Sequence, residues 1–227
     1  MDYQQRLLRF VSDAVHDLAG PVDQVGSLVS LFVHRYRGET DPEARALLKH
    51  IETAAARLAT TAAGLRGYFQ VCGGECRNIR VDARAALQKA LLALHYETRE
   101  AQAEITSGEL PDVHGDPNLV TTLFQAIVQN SLKFRRLDVP PRIRITAERL
   151  PAVCRFSITD NGIGIDPQFR EEVFLAFRKL NGHTYPGAGL GLAAARAIVE
   201  AHGGRIWIAD SHGPGTTVMF ELPPDVD

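Results

Sequence analysis

Three short stretches combine residue types able to hold a nucleotide. Asp160-Asn161-Gly162-Ile163-Gly164 follows directly on the strand-like segment Phe156-Ser157-Ile158-Thr159. Glycines two apart allow a tight turn and let the backbone approach a ligand closely. Asp160, at the strand end, can accept a hydrogen bond from an exocyclic amine such as that of adenine. Alone, the stretch reads equally well as an ordinary Asn-Gly turn. Gly187-Ala188-Gly189-Leu190-Gly191-Leu192 opens a helical run. Glycines at a helix N-terminus expose free N–H groups where the macrodipole favours an anion, and a phosphate chain is the natural guest. The stretch is not of the Walker type, because no Gly-Lys-Ser/Thr follows, and no strand directly precedes it, so the dinucleotide fingerprint also fails. In Gln129-Asn130-Ser131-Leu132-Lys133-Phe134, Asn130 and Lys133 are three apart and share a helix face. An amide oxygen suits Mg²⁺, an ammonium suits phosphate, and Phe134 can stack on a base. The plain alternative is a solvated polar face at a helix end.

The elements that must position these residues divide at residues 71–78, where Gly73-Gly74 and a loss of periodicity mark a linker. Before it, apolar residues recur in steps of three and four from Leu7 through Phe10, Ala14, Leu18, Val22 and Val25 to Phe32 and Tyr36. That period predicts one long amphipathic helix. Gly38 stops it, and Asp41-Pro42 starts a second helix carrying Leu47, Ile51, Leu58, Leu65 and Phe69. The short connection makes the two antiparallel neighbours, and pairing two copies would bury their apolar stripes in a four-helix bundle. After the linker, helices are expected from Asp82 to about Glu100, from Asp116-Pro117 to about Phe134, and from about Gly189 to His202. Strands are expected at 142–148, 153–159, 205–210 and 216–222. The expected architecture is therefore α plus α/β: an antiparallel helical hairpin (1–70) dimerising into a four-helix bundle, a linker (71–78), and an α/β sandwich (79–227) with helices on one face of a mixed sheet.

Composition excludes several classes. A hydrophobic fraction of 45% supports a core, and 25 basic against 27 acidic residues leave no nucleic-acid footprint. Three cysteines, Cys72, Cys76 and Cys154, argue against a disulfide framework, and Cys72 and Cys76 read as free linker thiols. No apolar run approaches the roughly 20 residues that span a bilayer, so the chain is expected to be cytoplasmic, with no membrane contact of its own.

Order and spacing unite the three stretches. Asn130, then Asp160-x-Gly162-x-Gly164, then Phe174-x-x-Phe177, then Gly187-x-Gly189-x-Gly191 resembles the boxes of an ATPase superfamily that includes histidine kinases, type II topoisomerases, mismatch-repair ATPases and heat-shock chaperones. The runs Tyr185–Ala194 and Ile198–Trp207 resemble the histidine-kinase catalytic domain, and the resemblance extends over roughly residues 8–223. Phe10–Pro21, containing His16-Asp17, resembles the phospho-acceptor box of these kinases, in the variant found near phytochrome-type sensors. Helix geometry agrees: His16 lies about 200° around the helix from both Ala14 and Leu18, away from the core stripe. Pro21 leaves the Asp17 carbonyl without its helical donor. Asp17 can take the imidazole proton, freeing a lone pair to attack phosphorus. The other seven histidines read as ordinary surface residues.

The resemblance implies a kinase that phosphorylates His16 from Mg²⁺-ATP and passes the phosphate to a response-regulator receiver domain, working as a homodimer. It implies that Asn130 holds Mg²⁺, Lys133 and Lys179 contact phosphate, Phe134 stacks near adenine, and Asp160 binds the adenine amine. Gly162 and Gly164 would shape the adenine pocket, and Gly187, Gly189, Leu190 and Gly191 would approach the phosphates. Residues 166–186 would form a lid anchored by Phe174 and Phe177. Four positions depart from the family pattern. Ala126 and Ala188 replace an Asn and a Thr, Lys179 stands where an Arg is usual, and Gly20 replaces a residue that assists dephosphorylation. Two rival readings are an ATP hydrolase of the same superfamily and a degenerate kinase acting as a dimeric adaptor.

Overall fold

The structure, a computed structural model, describes residues 24–34, 46, 48–51, 53–55, 58, 62, 65, 68, 76–180, 185, 188–210 and 213–225. His16, Asp17 and Gly187 lie outside the described residues. Contacts divide the chain into two units, Met1–Gly74 with Pro186–Ala188, and Glu75–Tyr185 with Gly189–Asp227. No helix among the described residues is long and apolar enough to cross a membrane.

In the first unit, residues 24–34 are helical, as are the described positions between 46 and 68. Ala55 and Ala62 are buried, whereas Val25, Leu28, Leu31, Phe32, Ile51 and Leu58 are all between 43% and 64% exposed in the single chain. The apolar stripe seen in the sequence is therefore helical where it is described, and much of it faces outward. The remainder of the expected hairpin lies outside the described residues.

The second unit contains, in order, β1 (Ile79–Val81), α1 (Ala83–Ala93), α2 (His95–Glu100), β2 (Glu104–Ser107), β3 (Val113–Gly115), α3 (Pro117–Lys133), β4 (Arg142–Arg149), β5 (Cys154–Asp160), α4 (Gly191–Ala201), β6 (Arg205–Ile208) and β7 (Thr217–Leu222). β1 and β3 form an antiparallel pair; the other five strands form one sheet in the order β2-β4-β5-β7-β6, parallel only between β2 and β4. Register puts Ile145, Ile158, Val218 and Ile208 in one row and Ala147, Phe156, Phe220 and Ile206 in the next. Strand alternation sends these to one face, where α3 and α4 cover the sheet and α1 packs on α3. Phe124 of α3 meets the stacked Phe156–Phe220 pair edge-on, with centroids 5.9 Å from each. Such aromatic pairs are worth about 0.5–1.5 kcal/mol each beyond their area. The opposite face carries Thr146, Ser157, Met219 and Trp207 in one row, and Glu148, Arg155, Glu221 and Arg205 in the next.

Two predicted helix starts hold. The Asp82 side chain accepts from Ala85 N, and Asp116 accepts from Asn118 N and Leu119 N with Pro117 in the first turn. The single helix expected from Asp82 to Glu100 is instead two, broken at Leu94, which is fully buried with φ −97° and ψ 13°. Burying Leu94 turns the chain off the first helix axis. β1, β2 and β3 had no sequence expectation: three- and four-residue strands carry too little alternation, and their partners lie far away in the chain.

Candidate functional site

Asp160 is the last residue of β5, and three donors converge on its carboxylate. Oδ1 accepts from Gly162 N (2.9 Å) and Thr216 N (3.0 Å), and Oδ2 accepts from the Ser131 hydroxyl (3.0 Å). Burial pushes this carboxyl above the usual carboxylate range, and the hydrogen bonds from Gly162, Thr216 and Ser131 oppose that rise. Gly162 must be glycine: a Cβ there would sit 2.6 Å from the Phe134 carbonyl and 2.9 Å from Asp160 Oδ1. Gly164 turns with φ +78° beside Gly215. Phe134 caps α3, its carbonyl accepts from Ile163 N (3.1 Å), and its ring lies 4.9 Å from that of Tyr185. The end of α3, the turn after β5 and the segment before β7 thus meet around one carboxylate beside an aromatic pair. Ser131, Gly215 and Thr216 were not among the expected site residues. The Gly215-Thr216-Thr217 start of the last strand was the available signal for two of them.

Three groups of a different character lie along α3 and α4. Asn130 has a buried side-chain Nδ2 without a hydrogen-bond partner. A Cβ on Gly191 would come within 3.1 Å of that atom, which puts Asn130 against the first turn of α4. That turn begins at Leu190, which is buried and contributes no side-chain cap. The exposed first-turn N–H groups and the helix dipole suit an anion. The Lys133 ammonium lies 4.7 Å from the Phe134 ring centroid. Burial lowers its pKa, and the nearby positive charge of Lys179 lowers it further. A second ammonium close enough to oppose the protonation of Lys133 makes a place where an anion is favoured.

The segment expected to form a lid is tied down at several points. Asp166 accepts from Gln168 N to start a short 3-10 turn, Arg170 pairs with Asp210, and Arg178 pairs with Glu172. Phe174 is buried against α4, as expected. Phe177 is not: it is 57% exposed with φ +64°, and only its backbone is fastened, N–H to the Gly189 carbonyl at 3.0 Å. Gly189 answers with φ +74° and no room for a side chain, since a Cβ would lie 2.9 Å from the Arg178 carbonyl. The expected aromatic anchor is therefore a backbone staple. A second correction concerns His202, expected at the surface but only 8% exposed. Asp116 N–H donates to its Nε2 (2.9 Å) and its Nδ1 donates to the Ile198 carbonyl (2.7 Å), so it joins the start of α3 to the end of α4. Cys76 is half-buried 3.4 Å from the same Nε2 rather than in an open linker.

Among the expected ligand residues, the structure gathers Asp160, Gly162, Gly164 and Phe134 in one group and Asn130, Lys133, Lys179, Leu190 and Gly191 in another, the two meeting where the Lys133 ammonium lies over the Phe134 ring, with Gly189 beside Phe177 and Arg178. Among the described residues no cluster of three or more His, Cys, Asp or Glu side chains could hold a metal.

Residues 115–226 match the family described as histidine kinase-, DNA gyrase B-, and HSP90-like ATPase. The chain is 36% identical over 218 residues to cyanobacterial phytochrome A of Nostoc sp., covering 96% of this chain and 28% of that protein. It thus spans well under a third of that relative's length. The fold resembles full-length ShkA in complex with AMPPNP (TM-score 0.70, 20% identity, 96% of this chain and 46% of that one). It also resembles histidine kinase ThkA in complex with the response regulator protein TrrA (TM-score 0.65, 20% identity, 98% and 64%).

Proposed function

We propose that this chain, whose residues 115–226 match the family of histidine kinase-, DNA gyrase B-, and HSP90-like ATPases, is a kinase transmitter module that binds ATP and phosphorylates its own His16. The observation that carries the reading is the pairing of a hydrogen-bonded carboxylate at Asp160 with an uncapped helix start, an unpartnered amide and two ammonium groups. One end suits a base bearing an amine, the other a chain of phosphates. The Asp160 carboxylate accepts from the adenine amine, Phe134 and Tyr185 flank the base, and Gly191, Lys133 and Lys179 receive the phosphates. Asn130 would hold Mg²⁺ through its amide oxygen, while its unpartnered Nδ2 is a donor that suits a phosphate oxygen. A bound Mg²⁺ would neutralise phosphate charge. In the transfer, a His16 imidazole nitrogen attacks the γ-phosphorus, the P–O bond to ADP breaks as the N–P bond forms, and Asp17 takes the imidazole proton.

The whole chain then acts as a dimer through the apolar stripe of the helical hairpin (1–70), donating phosphate to an Asp of a receiver domain. The response regulator held by ThkA in its complex supports that partner class. Sedimentation of the whole chain as a monomer would remove the dimer. Incubation with radiolabelled ATP tests the reaction: the label should be acid-labile and base-stable, and His16→Gln should lose it while still binding ATP. A His16→Gln protein that still takes up label would sink the acceptor assignment; failure of the unaltered chain to bind any nucleotide would favour the adaptor reading, which Ala126, Ala188 and Lys179 motivate.

A further inference from the structure

We infer that Ser131 is a positioning residue for base selection: its hydroxyl holds Asp160 as an oriented carboxylate that accepts from an exocyclic amine, and so favours an amino purine over an oxo purine. The inference rests on the nucleotide-binding reading above and specifies how that site chooses its base. Ser131 is 5% exposed and sits on the face of α3 that otherwise buries Leu123, Phe124, Ile127, Val128 and Leu132. Helical hydroxyls in this protein usually bond back to the carbonyl four residues earlier: Thr98 to Leu94, Thr121 to Pro117, Thr122 to Asn118. Ser131 instead reaches across to Asp160 Oδ2 at 3.0 Å, linking positions 29 apart.

That bond divides the work of the two carboxylate oxygens. Oδ1 already accepts from Gly162 N and Thr216 N, which fills its two lone-pair directions. Oδ2 accepts from Ser131 and keeps one direction open, the one left for a ligand amine. The groups facing Asp160 are Ser131 from α3, Gly162 from the turn after β5, Thr216 from the segment before β7, and Ile143 across the strand pair. None is charged, so hydrogen bonds alone oppose the effect of burial on this carboxyl. A protonated Asp160 would present an O–H to the base and suit an oxo group; the ionised form suits an amine.

The test measures ATP and GTP affinity of the whole chain from acid to neutral pH, since burial raises the Asp160 carboxyl above the usual carboxylate range. Ser131→Ala should weaken ATP about threefold to tenfold, narrow the ATP-over-GTP preference, and move the acid loss of ATP binding to higher pH. Ser131→Thr, which keeps the hydroxyl, should restore all three. Equal losses for ATP and GTP with an unmoved pH midpoint and no rescue by Thr would reduce Ser131 to a packing residue and overturn the inference, as would an unchanged Ser131→Ala protein. Asp160→Asn in the same titrations separates this from failure of the site itself. If a folded Asp160→Asn protein keeps full ATP affinity, the nucleotide reading falls; if it loses ATP while Ser131→Ala does not, only the present inference falls.

Discussion

The two ends of the candidate site are built on opposite principles. At the Asp160 end every strong polar group has a partner: three donors meet one carboxylate, and glycine at 162 lets two backbone segments close around it. At the Lys133 end the groups lack partners or carry an electrostatic cost. Asn130 has an orphaned buried nitrogen, α4 starts without a cap, and Lys133 is destabilised in its charged form by burial and by Lys179. A satisfied site concentrates its gain from a ligand in shape and one directed, charge-assisted bond, so it selects. An unsatisfied site is relieved of an existing electrostatic cost when an anion arrives, so it attracts. The difference teaches that selectivity and affinity are separable here, and substitutions at each end should show it.

The largest effect is expected at Asp160. Asp160→Asn should weaken ATP and adenosine alike, by about 1.5–3 kcal/mol or tenfold or more, because a directed bond to a charged acceptor is lost in both. The fold should survive and lose part of its pH dependence. The folded Asp160 carboxyl sits above its unfolded value, so its contribution to stability is greatest in acid and is lost as pH rises from the ordinary carboxylate range to the raised one. Denaturant unfolding from acid to neutral pH should therefore be flatter in Asp160→Asn. A loss of ATP with adenosine unaffected would erase the comparison.

A smaller, phosphate-only effect is expected at the other end. Lys133→Met keeps the apolar stem and removes the charge, and should weaken ATP by up to about tenfold while leaving adenosine binding unchanged. Adenosine affinity that falls together with ATP would show Lys133 to be part of the base pocket.

The smallest effect concerns conditions. Because Lys133 has a lowered pKa in the ligand-free protein, it releases its proton sooner than an ordinary lysine as pH rises. ATP favours the charged form, so binding should take up protons in alkaline buffer, and added salt should weaken ATP more than adenosine. Calorimetry in buffers of different ionisation enthalpy measures the uptake; none at any alkaline pH would mean that Lys133 does not face the phosphates.

Much of this site was legible because its signals are local. Asp82 and Asp116-Pro117 cap the helices they precede, and alternation at 142–148 and 153–159 marks neighbouring strands. What could not be read depends on residues far apart in the chain. Ser131 and Thr216 are 29 and 56 positions from the carboxylate they donate to. His202 looked like any surface histidine until Asp116, 86 positions away, was placed on its ring. Phe177 had an apolar side chain that predicted burial, but its backbone bond to Gly189 turns that side chain outward.

By itself the sequence determined the mix of helix and strand, the starts of α1 and α3, and the ingredients of the site, since caps, periodicity and glycine spacing act over a few residues. Tertiary structure alone decided the sheet order, the parallel pairing of β2 with β4, and which polar groups end with partners and which without. The physical reason is that a hydrogen bond or a like-charge opposition exists only between groups that packing has brought within a few ångströms, and no local pattern encodes that distance.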